Sequence, residues 1–187
     1  GSTWLHANLV RHPEILMHRD KETFFFSTLG DKASPRYRYP DLKSYLASFT
    51  DTIGELVLKN YHAIRRCGRF YSPQVIGEST ASYCVLDRSV LEDIQLLNPD
   101  LKIIMLVRNP IERAWSHANK DLVRDTGMEA TDSQYLEFFS RSDQLERADY
   151  PAIIERWQAI LKPGHMLLAP SSRIEAEPEK LISEVLD

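Results

Sequence analysis

The residues best suited to bind an anion follow the most apolar stretch of the chain. Residues 102–107 are Lys-Ile-Ile-Met-Leu-Val, Arg108 comes next, and Ser116 follows eight residues later. A guanidinium presents paired N–H donors that match two phosphate oxygens, and a serine hydroxyl adds a neutral donor. Because ligands of open α/β sheets bind where parallel strands end, Arg108 and Ser116 are candidate phosphate ligands. An ordinary ion pair between Arg108 and a carboxylate is the alternative.

The first residues of the chain form a second candidate anion site. Gly1, Ser2 and Thr3 come directly before an apolar helical pattern. Unpaired backbone N–H groups and the positive end of a helix dipole attract anions at such a position. Small hydroxyl residues are also common helix caps, and Gly1-Ser2 could be the remnant of a tag. Anion binding and simple capping both remain open here.

A cation and a carboxylate, Lys21 and Glu22, precede the aromatic run Phe24–Phe26. Burial raises the pKa of a carboxyl group and a neighbouring cation lowers it, so Glu22 is a candidate general base. A surface ion pair beside a core segment is the alternative. Residues 76–83, Ile-Gly-Glu-Ser-Thr-Ala-Ser-Tyr, run from an apolar stretch into a hydroxyl-rich turn that either lines a site or caps the next element.

The histidines and cysteines give no sign of a metal site. The six histidines lack ligand spacing such as an i, i+4 pair, which predicts structural or surface roles. Cys67 and Cys84 are too few for a disulfide framework and lack metal-site spacing, which predicts ordinary thiols.

The overall composition predicts a globular domain of ordinary size. The 187 residues are 43% hydrophobic and 27% charged, with a net charge of −4, which disfavours a nucleic-acid coat. No apolar run approaches the roughly 20 residues of a membrane span, and no secretory leader is visible. We expect a cytoplasmic protein, or one of the Golgi lumen if it is a eukaryotic enzyme with an anchor outside this chain.

These candidate residues need strands and helices to position them. Helical patterns alternate with short apolar runs, which predicts an α/β fold. Strands are predicted at 102–107, 166–169 and 74–77, with Phe24–Phe26 as strand or core loop. Helices are predicted at 3–11, 41–49, 89–97, 110–125, 150–161 and 177–186, and 126–142 is predicted to be a loop with a short helix.

Together and in this order, the segments resemble the sulfotransferases that use 3′-phosphoadenosine 5′-phosphosulfate (PAPS), in particular the heparan-sulfate-type and bacterial branch. Residues 1–15 resemble the second half of the 5′-phosphosulfate loop and its helix, and Lys21-Glu22 with Phe25-Phe26 resembles the Lys-Glu-x-x-Phe-Phe segment. Residues 77–83 match Gly-Glu-x-(Ser/Thr)-x-x-Tyr. Residues 108–117 resemble the 3′-phosphate motif, Arg-Asn-Pro-x-x-Arg-Ala-x-Ser-His.

The resemblance implies a P-loop-like three-layer α/β fold with a central parallel sheet flanked by helices. It implies a single domain over residues 1–187, truncated at both ends. PAPS would be the sulfuryl donor and 3′-phosphoadenosine 5′-phosphate (PAP) the product, with no metal. The implied roles are 3′-phosphate binding by Arg108 and Ser116, 5′-phosphosulfate binding by Gly1, Ser2 and Thr3, general base catalysis by Glu22, and a place beside the reacting group for Lys21.

Some positions depart from the family pattern. The family's Lys two residues before the loop Gly has no counterpart here, and Ser79 stands where some members have a second Lys. A domain that binds PAP or PAPS without transfer is therefore an alternative. A P-loop kinase is disfavoured because there is no Gly-Lys-Ser/Thr run.

The acceptor is not identified by the sequence. It would be a hydroxyl or amine of a small molecule, a carbohydrate or a carrier-bound group, and variable loops would bind it. The oligomeric state is open. Residues 30–38, 59–72 and 126–147 are the predicted loops, and Arg65, Arg66 and Arg69 within them suit an anionic acceptor or a solvated helix face.

Overall fold

The computed structural model describes residues 1–186, which divide into two compact units, Gly1–Tyr83 and the chain from Cys84 onwards. Each unit contains one pair of parallel strands. The helices and strands of the first unit are α1 (Ser2–Leu9), β1 (Ile15–Met17), α2 (Leu42–Ala47), α3 (Ile53–Cys67) and β2 (Val75–Gly77), with 3₁₀ turns at Phe26–Thr28 and, across the unit boundary, Ala81–Val85.

The strands of the first unit are short, and aromatic side chains supply much of its core. Ile15 pairs with Val75 and Met17 with Gly77. The Phe25 ring stacks on the Tyr45 ring with 4.3 Å between centroids, and both residues are buried. Leu5, Leu9, Met17 and Ala63 are the other buried apolar residues of this unit.

The longest helix of the first unit, α3, has a sequence signal at each end. Thr52 and Glu55 form a capping box at its start, in which each side chain bonds the backbone N–H of the other residue. Gly68 ends the helix in the left-handed region, with φ of +66°. A glycine adopts this conformation without the steric cost of a Cβ atom, so the helix stops here.

The second unit places its helices between and after two longer strands. Residues Ile103 to Val107 of one strand pair in register with Met166 to Pro170 of the other. The elements are α4 (Arg88–Leu97), β3 (Ile103–Val107), α5 (Pro110–Ala118), α6 (Asp132–Phe139), α7 (Ser142–Glu146), α8 (Tyr150–Gln158), β4 (Met166–Pro170), α9 (Arg173–Ala176) and α10 (Pro178–Leu186), with a π-helical segment at Asn119–Arg124.

The predicted α/β class is confirmed, because helices alternate with strands and every strand pair in residues 1–186 is parallel. The three predicted strands are present, and Phe24–Phe26 is a loop that enters a 3₁₀ turn. The expectation of a loop over 59–72 is wrong, since α3 continues to Cys67. Within residues 1–186 no helix has both the length and the apolar character to cross a membrane.

Candidate functional site

A pocket lies where β3 ends and α5 begins, and it contains both predicted phosphate ligands of the second unit. Val107 is the last residue of β3, so Arg108 lies at the carboxyl end of the strand. The cavity measures about 370 Å³ and is lined by Arg108, Ile111, Glu112, Trp115, Ser116, Asn119 and Arg124. The structure therefore brings Arg108 and Ser116 to one cavity, as their spacing predicts.

The helix α5 forms one wall of the pocket, and its first turn is fixed by a side-chain cap and a proline. The Asn109 side chain accepts hydrogen bonds from the N–H groups of Ile111 and Glu112, at 3.0 and 3.4 Å. Pro110 occupies the first turn, where a helix needs no backbone N–H donor. Glu112 and Ser116 are four residues apart and so share one helix face.

The Arg108 guanidinium is already oriented by a neighbouring carboxylate. Its Nε donates to Glu112 Oε2 at 3.0 Å, and the side chain is 48% exposed. This is the ion pair that the sequence left as an alternative, but it uses only the Nε edge of the guanidinium. Within residues 1–186 no carboxylate pairs with either Nη group, so two nitrogen donors remain for an anion in the pocket.

Sequence analysis missed Arg124, a second guanidinium that lines the pocket. Along a regular α-helix, Arg124 would lie about 80° around the axis from Ser116. The wider π-helical turn at Asn119–Arg124 changes this register and places Arg124 in the pocket wall. Such turns often occur at functional sites, but periodicity in the sequence does not reveal them.

An aromatic stack supports the same wall. The Trp115 and Tyr135 rings lie 5.0 Å apart at 11°, and the Tyr135 hydroxyl donates to Asn119 Oδ1 at 2.7 Å. Tyr135 belongs to α6, within the segment predicted to be mostly loop. Tyr135 therefore contacts α5 through the stack and the π-helical segment through the hydrogen bond.

In the first unit, Glu22 is held from two sides. Lys21 Nζ donates to Glu22 Oε1 at 2.8 Å, and the N–H of Ala81 donates to Glu22 Oε2 at 2.9 Å. The N–H of Glu22 donates to the carbonyl oxygen of Ser79 at 2.9 Å. About a quarter of the Lys21 and Glu22 side chains is exposed, so the carboxylate is fixed yet reachable from solvent.

The backbone around Glu22 adopts an unusual conformation. Glu22 and Phe24 have φ of +65° and +57°, the left-handed region that non-glycine residues rarely occupy. Thr23 lies between them, is 0% exposed, and donates its hydroxyl hydrogen bond to Glu78. Strain of this kind persists only where neighbouring contacts fix the backbone, and it is concentrated at functional sites.

Glu78 is the acceptor at the centre of these contacts. Its carboxylate accepts hydrogen bonds from the hydroxyls of Tyr45 at 2.6 Å and Thr80 at 3.0 Å, besides that from Thr23. Burial, and next the charge of Glu78, raise the pKa of Tyr45, so its hydroxyl keeps its proton and donates. Glu78 thus links Tyr45, Thr23 and Thr80 within the first unit.

The helix α1 and the residue before it contain the remaining predicted site residues. The helix also contains a histidine to which the sequence assigned no role in the site. Gly1 is the residue before the helix, and Ser2 and Thr3 form its first turn. His6 has a lowered pKa, mainly because of burial and next because of the Lys21 charge. Its Nδ1 atom is buried and makes no hydrogen bond within residues 1–186. Sequence spacing gave His6 no role, and its closeness to Lys21 appears only in the fold.

Metal binding finds no support in the described residues. In residues 1–186 there is no group of three or more His, Cys, Asp or Glu side chains placed to hold a metal ion.

Comparison with known proteins identifies the fold. No protein-family model and no curated protein sequence matches the chain. A solved structure does match: the crystal structure of a sulfotransferase from Alicyclobacillus acidocaldarius, with a TM-score of 0.70 and 21% sequence identity. The match covers 99% of this chain and 74% of that chain. It confirms the predicted P-loop-like α/β fold class.

Proposed function

We propose that this chain is the greater part of a sulfotransferase domain that moves a sulfuryl group from PAPS to a hydroxyl or amine of an acceptor. The carrying observation is that Arg108 and Ser116 line one cavity at the end of a parallel strand. The similar fold of a protein described as a sulfotransferase supports the same reaction class.

The pocket of the second unit suits the 3′-phosphate of the nucleotide. The Nη groups of Arg108 match two phosphate oxygens, and the Ser116 hydroxyl adds a neutral donor. Arg124 brings a second positive charge to the pocket wall, which offsets the negative charge of Glu112. These donors fit a doubly charged anion better than the single carboxylate that Arg108 already contacts.

In the first unit, the start of α1 would bind the 5′-phosphosulfate. Gly1, Ser2 and Thr3 stand at the N-terminus of α1, where backbone N–H groups and the helix dipole favour an anion. Positioning and preorganised donors can supply most of the rate enhancement in such a transfer. A sulfuryl group carries less charge than a phosphoryl group, so the proposed reaction needs no metal ion.

Glu22 is the proposed general base. Its fixed carboxylate would take the proton of the acceptor O–H or N–H group as that atom bonds to sulfur, while the S–O bond to the leaving phosphate breaks and PAP departs. Lys21, which pairs with Glu22, would lie beside the reacting group and offset the charge that develops there. The acceptor is a small molecule, a carbohydrate or a carrier-bound group.

Binding of nucleotides to an Arg108→Ala variant tests the 3′-phosphate assignment. We expect the affinity for PAP to fall at least about tenfold, since a hydrogen bond to a charged group contributes roughly 1.5–3 kcal/mol. Affinity for adenosine 5′-phosphate, which has no 3′-phosphate, should stay unchanged. Isothermal titration calorimetry measures both.

Arg88→Ala is the matched control, because Arg88 forms the same type of i, i+4 pair, with Glu92, in the same unit. It should leave both affinities unchanged. Equal losses for PAP and adenosine 5′-phosphate in the Arg108→Ala protein would contradict the assignment.

A further inference from the structure

The helix α3 presents a row of large apolar side chains to solvent. Ile53, Val57, Tyr61 and Ile64 have relative exposures between 46% and 83%. They are spaced by four, four and three residues, so they lie along one helix face over roughly 16 Å at 1.5 Å per residue. Ala63, on another side of the helix, is buried against the first unit. We call these four residues the apolar face of α3.

The apolar face is unusual for a protein surface and is rigidly held. Scattered exposed apolar residues are normal, but a contiguous row marks a surface that binds a partner or a lipid layer. The capping box at Thr52 and the left-handed Gly68 fix both helix ends. The face therefore exists before any partner binds, and binding would carry little ordering cost.

Charge beside the apolar face is positive and not neutralised. Glu55 is the only acidic residue of α3, and it pairs with Arg19 at 3.0 Å. Arg65 forms no ion pair with any carboxylate of residues 1–186 and lies over the Tyr61 ring at 5.9 Å. Arg66 forms no such ion pair either, but it lies about 140° around the helix axis from Tyr61, away from the apolar face. This local excess of cations contrasts with the net charge of −4 for the whole chain.

We propose that the apolar face of α3, with Arg65 beside it, docks on an anionic lipid surface. A helix with one apolar side and flanking arginines lies in the plane of a bilayer interface, with its apolar side chains among the acyl chains and its cations at the phosphates. A second copy of the chain that docks through the same face complements it less well, because the face carries no free carboxylate for Arg65. The charge pattern therefore favours lipid over self-association.

Co-sedimentation with vesicles tests the proposal on the whole chain. The vesicles contain either phosphatidylcholine alone or equal parts of phosphatidylcholine and phosphatidylserine. We expect the protein to bind the anionic vesicles and to bind the neutral ones much more weakly. Arg65→Gln should weaken anionic binding about fivefold, at about 1 kcal/mol for a cation at the lipid surface. Ile53→Ser with Val57→Ser should weaken it at least about tenfold through lost apolar burial.

Matched controls separate the face from general charge and hydrophobicity. Leu96→Ser removes an exposed apolar residue of α4, and Arg88→Gln with Arg141→Gln removes two exposed arginines of the second unit. Both should bind the vesicles as the unaltered protein does. All these substitutions are at exposed positions, and circular dichroism of each variant verifies that it is folded.

Three results would overturn the proposal. The first is no binding to anionic vesicles at the highest lipid concentration. The second is equal binding to both vesicle types or by all variants. The third is a dimer, seen by analytical ultracentrifugation, that Val57→Ser abolishes while lipid binding is absent, which assigns the face to a second copy. Each result leaves the proposed sulfuryl transfer untouched, because neither Glu22 nor the Arg108 pocket belongs to α3.

Discussion

At the scale of single residues, a carboxylate held by an ammonium group and a backbone N–H has a defined position, and each of its oxygens keeps one lone pair for a further proton donor. Glu22 has this arrangement, with Lys21 on one oxygen and Ala81 on the other. The left-handed backbone at Glu22 and Phe24 is the cost of that position, and buried Thr23 secures it. The position of the Glu22 carboxylate is therefore fixed by the backbone as much as by the side chain.

If Glu22 is the general base, as we propose, its substitution should lower turnover without changing nucleotide binding. Glu22→Gln keeps the shape and the hydrogen bond from Ala81 but removes the base. PAP affinity should stay within about twofold, while turnover should fall at least about 100-fold, the usual contribution of general base catalysis. Transfer of ³⁵S from labelled PAPS measures turnover once an acceptor screen has found a substrate.

Turnover of the Gln variant equal to that of the unaltered protein would remove Glu22 from the mechanism. A chain that binds PAP but transfers sulfuryl to no acceptor would instead be a nucleotide-binding domain.

The contacts of Glu78 predict a specific loss of stability. Tyr45→Phe removes the hydroxyl that donates to Glu78 at 2.6 Å but keeps the ring that stacks on Phe25. We expect the free energy of unfolding to fall by about 1.5–3 kcal/mol, because a hydrogen bond to a charged group is lost. Urea denaturation measures the change. Tyr61→Phe, at an exposed ring, should change it by less than about 0.5 kcal/mol, and equal effects would contradict the role of Glu78.

At the scale of elements, the sequence predicts those strands and helices that come from continuous apolar runs or from strongly patterned segments. The strand β3 was predictable because residues 103–107 are apolar without interruption, and α5 because Asn109-Pro110 marks its start. The π-helical segment was not, since it depends on the contact of Tyr135 with Asn119. The helix α3 was missed although Thr52 and Glu55 signal a capping box, because its exposed apolar side does not mark a core.

Replacement by alanine should have opposite effects at Gly54, within α3, and at Gly68, directly after its end. Gly54→Ala should raise the free energy of unfolding by about 0.5–1 kcal/mol, because a methyl group meets nothing within 4 Å there and alanine favours the helix. Gly68→Ala should lower it by about 1 kcal/mol, because φ is +66° at that position. Thermal and urea unfolding measure both. A destabilised Gly54→Ala protein would contradict the helical assignment of residue 54.

At the scale of the whole molecule, each of the two units holds a histidine that resists protonation. Burial is the largest cause of the lowered pKa of His6 in the first unit and of His117 in the second. His117 contacts Gln144 Oε1 at 3.2 Å and Asp121 Oδ2 at 3.3 Å. Both rings are neutral at pH 7.

This pattern predicts weaker folding in mild acid. A histidine whose pKa is lower in the folded chain binds its proton more readily after unfolding, so stability is full above the unfolded value of 6.5 and is lost as the pH falls towards the folded value. The thermal midpoint should therefore drop between about pH 7.5 and 5.5. His6→Gln with His117→Gln should flatten that drop. An unchanged slope in the double variant would assign the acid sensitivity to other groups.

The parallel pairing of the strands also affects how the chain is made. Residues 18–74 separate β1 from β2, and residues 108–165 separate β3 from β4, so neither pair can close as a hairpin. During synthesis, β1 has no partner until Val75 leaves the ribosomal tunnel, and β3 waits for Met166. The backbone N–H and C=O groups of β1 and β3 are therefore unpaired for part of translation. A chaperone of the holdase type would bind them during that interval.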